Sequence, residues 1–201
     1  MLDAALRPKI DPAMNRLAAH LARAGITANQ VTIAGLVIGL CAAAAIALHW
    51  FWLGLVLVLA SRLCDGLDGP LARLRGKTDY GGYLDIVLDF AFYGAIPVGF
   101  VFADPAANAV PGAVLVLSFY VNGASFLAYA IMAERHGLTS ERHGDKSIFF
   151  TTGLAEATET IAVFVLMCLF PAWFPAIAWV FAAICLYTAL SRIVLASRTL
   201  R

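Results

Sequence analysis

The chain has 201 residues, of which 62% are hydrophobic and 13% charged, with a mean hydropathy of +0.84 and a formal net charge of +1. That apolar share is well above the roughly half expected of a soluble domain, which excludes an ordinary water-soluble fold and points to an all-α integral membrane protein. The near-zero net charge says nothing about partners, no nucleic-acid partner is expected, and the distribution of charge along the chain carries the argument.

The first element is the segment "DPAMNRLAAHLARAGI". Met14, Leu17, Ala18 and Leu21 share one helical face, with Arg16, His20 and Arg23 largely on the other. This pattern predicts an amphipathic helix over 11–25, lying in the cytoplasmic interface of a membrane or packed on the protein's own surface. Asp11 and Pro12 are expected to serve as its N-cap and first helical residue. The preceding "MLDAALRPKI" lacks the apolar core of a signal peptide, so no cleaved leader is expected.

Six stretches are then long and apolar enough for spans, about 20 residues each. They cover 31–49, 52–74, 81–103, 110–133, 147–170 and 174–197. The segments "ADPAANAVPG", "ERHGLTSERHGDK" and "FPAWFPA" read as breaks between them. A six-span arrangement puts all 14 Lys and Arg residues on one side and leaves only Asp104 in the opposite loops. The positive-inside rule then places both termini in the cytoplasm. The whole chain, 1–201, reads as one membrane domain with a six-helix bundle over 31–197. Its four cysteines, Cys41, Cys64, Cys168 and Cys185, lack metal-ligand spacing and read as small core residues.

The stretch "SRLCDGLDGPLARLRGKTDYGGYLDIVLDF" interrupts this apolar pattern with five aspartates. Asp65 and Asp68 are three apart near the end of the second predicted span, and Asp85 and Asp89 are four apart near the start of the third. Each spacing puts both side chains on one helical face. Two antiparallel neighbours can therefore aim four carboxylates into one space, where mutual repulsion calls for a cation. Oxygen ligands without His or Cys favour Mg²⁺ or Mn²⁺ over zinc. The alternative is a buried charge network with Arg62, Arg73, Arg75 and Lys77. Acids within a span are functional by default, however. Asp79 falls in the connection and reads as a solvated or capping residue. Gly66 and Gly69 leave room for a ligand backbone, and Arg73, one turn beyond Gly69, can make paired hydrogen bonds to phosphate.

The pattern Asp65-x2-Asp68-Gly69-x2-Ala72-Arg73-x7-Gly81-x3-Asp85-x3-Asp89 closely resembles the signature of the CDP-alcohol phosphotransferase (phosphatidyltransferase) family, with eight fixed positions in 25 residues. The resemblance implies six transmembrane helices preceded by an amphipathic helix, and a cytoplasm-facing site in the inner membrane. It implies transfer of a substituted phosphate from a CDP-linked alcohol, here CDP-diacylglycerol, to a small polar alcohol, with release of CMP. Asp65, Asp68, Asp85 and Asp89 would hold a pair of Mg²⁺ or Mn²⁺ ions, and Asp89 would also act as general base. Gly69, Ala72 and Arg73 would contact the CDP moiety, as would "NQVT" (Asn29, Gln30, Val31 and Thr32) and Thr78. Helix capping or polar packing is the competing reading for Asn29, and a plain loop hydroxyl for Thr78. By analogy with relatives that are often dimers, a homodimer is the assembly to test.

The acceptor side is less explicit. Lys146, Glu156, Glu159 and Arg192 are the candidate acceptor contacts. The glutamates fall in the fifth predicted span, where relatives with phosphorylated acceptors tend to carry a basic residue. Two acids there suit polyol hydroxyls or an amino alcohol, or else pair structurally with Arg192. Asn122 and Tyr187 read as packing hydrogen bonds. Two other readings compete. One is a CDP-choline- or CDP-ethanolamine-type transferase with a lipid alcohol acceptor. The other is a divalent-cation transporter, whose site would sit at mid-bilayer on broken helices.

Overall fold

The computed structural model describes residues 2–136 and 155–200, with side chains from residue 11 onward. Among these the structure is entirely helical: α1 Leu2–Arg23, α2 Ala28–Ala47, α3 Phe51–Arg75, α4 Asp79–Ala103, α5 Pro105–Arg135, α6 Ala157–Leu169 and α7 Phe174–Thr199, with one turn of 3-10 helix at Pro171–Trp173. The all-α expectation holds. Four segments are long and apolar enough to cross a membrane: α2, α4, α5 and the stretch Pro171–Thr199 that contains α7. The other two predicted spans fall short for different reasons. α3 has 25 residues, but its second half carries Arg62, Asp65, Asp68, Arg73 and Arg75. α6 has 13 residues and begins at Ala157; residues 147–154 lie outside the described residues. Val37, Val56, Phe102, Val110 and Val180 are all more than half exposed on the outer faces of the helices. Such surfaces suit contact with lipid rather than water.

α1 departs from its predicted bounds. It starts well before Asp11 and runs through Pro12, so Asp11 is an interior residue and not an N-cap. The helix also contains Pro8, so it runs through two prolines, each of which removes one backbone donor. At the other end Gly25 takes φ +86 and lets the amide of Ile26 reach back to the carbonyl of Leu21 at 3.1 Å. The reversed chain carries Ile26 against Ala18, Val31, Leu67 and Leu71, which joins α1, α2 and α3 in one apolar cluster. Arg75 Nη2 donates to the carbonyl of Ala22 at 2.6 Å, so the end of α3 also satisfies the end of α1. Arg16, His20 and Arg23 face outward, as the sequence pattern requires.

α2 packs against both α3 and α4, and small residues set the approach. A Cβ at Gly39 would stand 2.5 Å from Cδ2 of Phe92, and one at Gly99 would stand 2.6 Å from the carbonyl oxygen of Ala43. Ser61 Oγ donates to the carbonyl of Gly35 at 2.7 Å across the α2–α3 contact. Behind this trio lies an aromatic core shared with α5, α6 and α7. Phe100 and Phe174 stack at 4.8 Å, and Phe92 meets Phe164 edge-on at 6.1 Å. Cys168 and Cys185 are buried, as expected, but Cys41 is exposed on α2. The predicted break "ADPAANAVPG" is mostly helix. Asp104 caps α5 by accepting from the amide of Ala107 at 3.1 Å, and Pro105 occupies the first helical position, where no amide is needed.

Candidate active site

The C-terminal half of α3 and the N-terminal half of α4 are joined by residues 76–78, with Gly76 at φ +100, and so run antiparallel. α2 lies beside both, which brings its N-terminus to the same end of the bundle. Thr78 is the N-cap of α4 and accepts from the amide of Gly81 at 3.0 Å. Asp79 is the first helical residue there and is exposed, as its reading as a solvated residue requires, while the cap is Thr78.

The carboxylates meet across the α3–α4 pair. One oxygen each of Asp65, Asp68 and Asp85 lie within 4.8 Å of one another. This is a hard, all-oxygen donor set, and among the described residues no His or Cys joins it. The set fits a divalent cation of the Mg²⁺ or Mn²⁺ type. Asp68 is nearly buried, and its Oδ2 accepts from Thr32 Oγ1 at 2.7 Å. Thr32, on α2, thereby fixes the orientation of a carboxylate on α3.

Asp89 is engaged differently. Its Oδ1 accepts from Arg62 Nη1 at 2.8 Å, and the same nitrogen stands 3.3 Å from Asp65 Oδ1. Arg62 is almost enclosed, with 8% of its side chain exposed. Its guanidinium lies 3.7 Å above the centre of the Phe92 ring and donates to Ser61 Oγ at 3.4 Å. By sequence, Arg62 stands only among the flanking basic residues. Its place one turn ahead of Asp65, inside an otherwise apolar run, is the signal that sets it apart.

The predicted donor contacts surround this group. A Cβ at Gly81 would stand 3.0 Å from both Asn29 Oδ1 and Thr78 Oγ1, so these two side chains flank the same glycine. A Cβ at Gly69 would lie 3.8 Å from Arg73 Nη1, which sets the exposed guanidinium over a backbone with no side chain. Ala72 is half-buried one residue earlier. Gln30 and Val31 have structural work. Gln30 closes a capping box with Thr27, its Oε1 accepting from the Thr27 amide at 2.9 Å. Val31 belongs to the α1–α2–α3 apolar cluster.

The acceptor candidates are more dispersed. Glu156 occupies the N-cap position of α6, and Glu159 lies in its first turn. Arg192 Nη1 donates to the carbonyl and Oδ1 of Asn122, both at 3.0 Å, and to Ser125 Oγ at 2.7 Å. The Glu156 carboxylate also acts electrostatically on this guanidinium. Asn122 is thus a packing hydrogen-bond partner, as expected, and its partner is Arg192. Lys146 lies outside the described residues.

Residues 25–197 match the profile of the CDP-alcohol phosphatidyltransferase family. The chain is 45% identical to inner membrane protein YnjF of Escherichia coli over 96% of its own length and 94% of that protein's. It is also 39% identical to archaetidylinositol phosphate synthase of Pyrococcus horikoshii, over 42% of this chain and 45% of that enzyme. Its fold is similar to that of Mycobacterium tuberculosis phosphatidylinositol phosphate synthase with CDP-DAG bound, with a TM-score of 0.67 and 21% identity over 90% of this chain and 92% of that one. The same enzyme in complex with manganese and citrate gives a TM-score of 0.65 at 23% identity, over 90% of this chain and 87% of that one. The matched profile extends over most of the molecule, including the paired carboxylates of α3 and α4, and the chain belongs to the CDP-alcohol phosphatidyltransferase family.

Proposed function

We propose that this protein moves the phosphatidyl group of CDP-diacylglycerol to a small polar alcohol and releases CMP. The observation that carries this reading is the convergence of Asp65, Asp68 and Asp85 within 4.8 Å, at the bundle end where Asn29, Thr78 and Arg73 also lie. The manganese and CDP-DAG complexes of a relative with the same fold support it.

Asp65, Asp68 and Asp85, with Asp89 beside them, hold Mg²⁺ or Mn²⁺, taken as a pair of ions. When bound, the metal neutralises the pyrophosphate and the departing CMP. Arg73, over the open backbone of Gly69 and next to Ala72, grips a phosphate by paired hydrogen bonds. Asn29 and Thr78 meet the nucleotide across Gly81, and Gln30, Val31 and Thr32 shape that wall, Thr32 through Asp68. The acceptor oxygen attacks the phosphorus that bears the diacylglycerol, the bond from that phosphorus to the CMP oxygen breaks, and the hydroxyl proton passes to the Asp89 carboxylate. Glu156, Glu159 and Arg192 are the proposed acceptor contacts, and Lys146 is a fourth candidate taken from the sequence. In the bilayer, six helices span with both termini and the site on the cytoplasmic side of the inner membrane, and α1 lies along that interface. The donor then keeps its acyl chains in lipid while a polar acceptor arrives from water. A homodimer is the proposed assembly.

The test is an acceptor screen with radiolabelled CDP-diacylglycerol in membranes holding the protein. Glycerol 3-phosphate, inositol phosphate, inositol, serine and choline are compared by lipid chromatography with and without Mn²⁺. The expected result is one metal-dependent labelled product together with CMP. Full CMP release by Asp89→Ala would falsify the assignment of the base.

A further inference from the structure

The four aspartates are not equivalent, and the difference lies in Arg62. Asp65, Asp68 and Asp85 face one another, and of these Asp65 also pairs with Arg62. Asp89 takes the shorter contact of the same guanidinium: Arg62 Nη1 is 2.8 Å from Asp89 Oδ1 and 3.3 Å from Asp65 Oδ1. One nitrogen thus spans α3 and α4 and occupies two of the carboxylates that would hold metal.

The setting of the guanidinium is fixed from the other side. It stacks on Phe92 at 3.7 Å, and Ser61, which accepts from its Nη2, is itself held by the carbonyl of Gly35. The hold is incomplete, because Arg62 Nε is buried with no hydrogen-bond partner among the described residues. An arginine serving only to stiffen the bundle is expected to have its buried donors satisfied. Here the stacking and the two carboxylates outweigh the loss at Nε, and the ion pair is one that a competing cation can break.

The geometry points to Arg62 as a resident counter-cation that competes with the second metal ion for Asp89 and Asp65. The inference rests on the proposed metal-binding role of these aspartates. Asp68 and Asp85 would help to hold an ion without releasing Arg62, whereas Asp89 would have to give up its Arg62 contact at 2.8 Å and Asp65 its longer one at 3.3 Å. Arg62 is therefore a positioning residue: it keeps Asp89 in place before the second ion arrives and makes filling of the site sequential.

The test counts metal in the full-length protein in lipid nanodiscs, stripped of metal and titrated with Mn²⁺. Calorimetry gives the affinities, and electron paramagnetic resonance gives the number of bound ions and their spin coupling. Wild type is expected to bind in two resolved steps. In Arg62→Gln the second step tightens about tenfold or more, the scale of one charge-assisted hydrogen bond removed from competition. Arg62→Lys, which keeps the charge but loses the planar fork and the stack, is expected to fall between the two and remains informative if the glutamine variant does not fold. A second step unchanged or weakened in either variant overturns the inference, as does equal affinity for both ions in wild type. Absence of any first step in wild type refutes the metal-binding reading itself, whereas a first step with no dependence on Arg62 refutes only the role given to Arg62.

Discussion

Thr32→Val keeps the shape of a side chain and removes one hydroxyl. In the wild-type protein that hydroxyl donates to Asp68 Oδ2 at 2.7 Å, and both residues are nearly buried. It also leans on the carbonyl of Ala28 at 3.0 Å, which holds its rotamer. A hydrogen bond to a charged acceptor contributes about 1.5–3 kcal/mol, and its loss frees the Asp68 carboxylate to rotate. Removal of a residue that orients a metal ligand typically costs roughly 10–100-fold in metal affinity. The expected result is a Mn²⁺ activation curve for CMP release displaced to about tenfold or more higher metal, with the plateau rate largely recovered at saturation. The assay is CMP release from CDP-diacylglycerol in nanodiscs across a Mn²⁺ series, with wild type and variant at matched protein levels. A variant curve that superimposes on wild type would refute the role of Thr32 in orienting Asp68. A lowered plateau with an unshifted midpoint would refute it as well, because the defect would then lie in the chemistry and not in metal capture.

Other outcomes follow from the packing. Gly99→Ala puts a Cβ 2.6 Å from the carbonyl oxygen of Ala43, a backbone atom that cannot rotate away. The strain is expected to cost about 1–3 kcal/mol, measured as a lowered midpoint of thermal unfolding in detergent. Arg192→Gln removes the donor that ties α7 to Asn122 and Ser125 of α5. It is expected to raise KM for the acceptor more than KM for CDP-diacylglycerol, and a change confined to the donor would count against its acceptor role.

Within one helix, spacing alone sorts side chains onto faces. That is why Asp65 with Asp68, and Asp85 with Asp89, read as paired carboxylates from their positions in the chain, and why Gly69 and Arg73 fall beside them. The same logic locates α2, α4, α5 and α7 to within a few residues, because long and mostly apolar runs in a membrane must satisfy their backbone internally, as a helix does. Local logic does worse where propensities compete: α1 runs through Pro12, and α5 absorbs most of a segment that reads as a break.

What only the tertiary structure decided are the contacts between helices. Spacing treats the four aspartates alike, yet Asp65, Asp68 and Asp85 converge while Arg62 links Asp89 to Asp65. Thr32 reaches Asp68 across 36 positions of sequence, and Arg192 reaches Asn122 across 70. The residue numbers contain no trace of these meetings. They depend on how far Gly39 lets α2 approach Phe92 of α4, and on how one helix is rotated and shifted against the next. A helix determines by itself which of its residues share a face; which residue stands opposite is settled only when the faces pack.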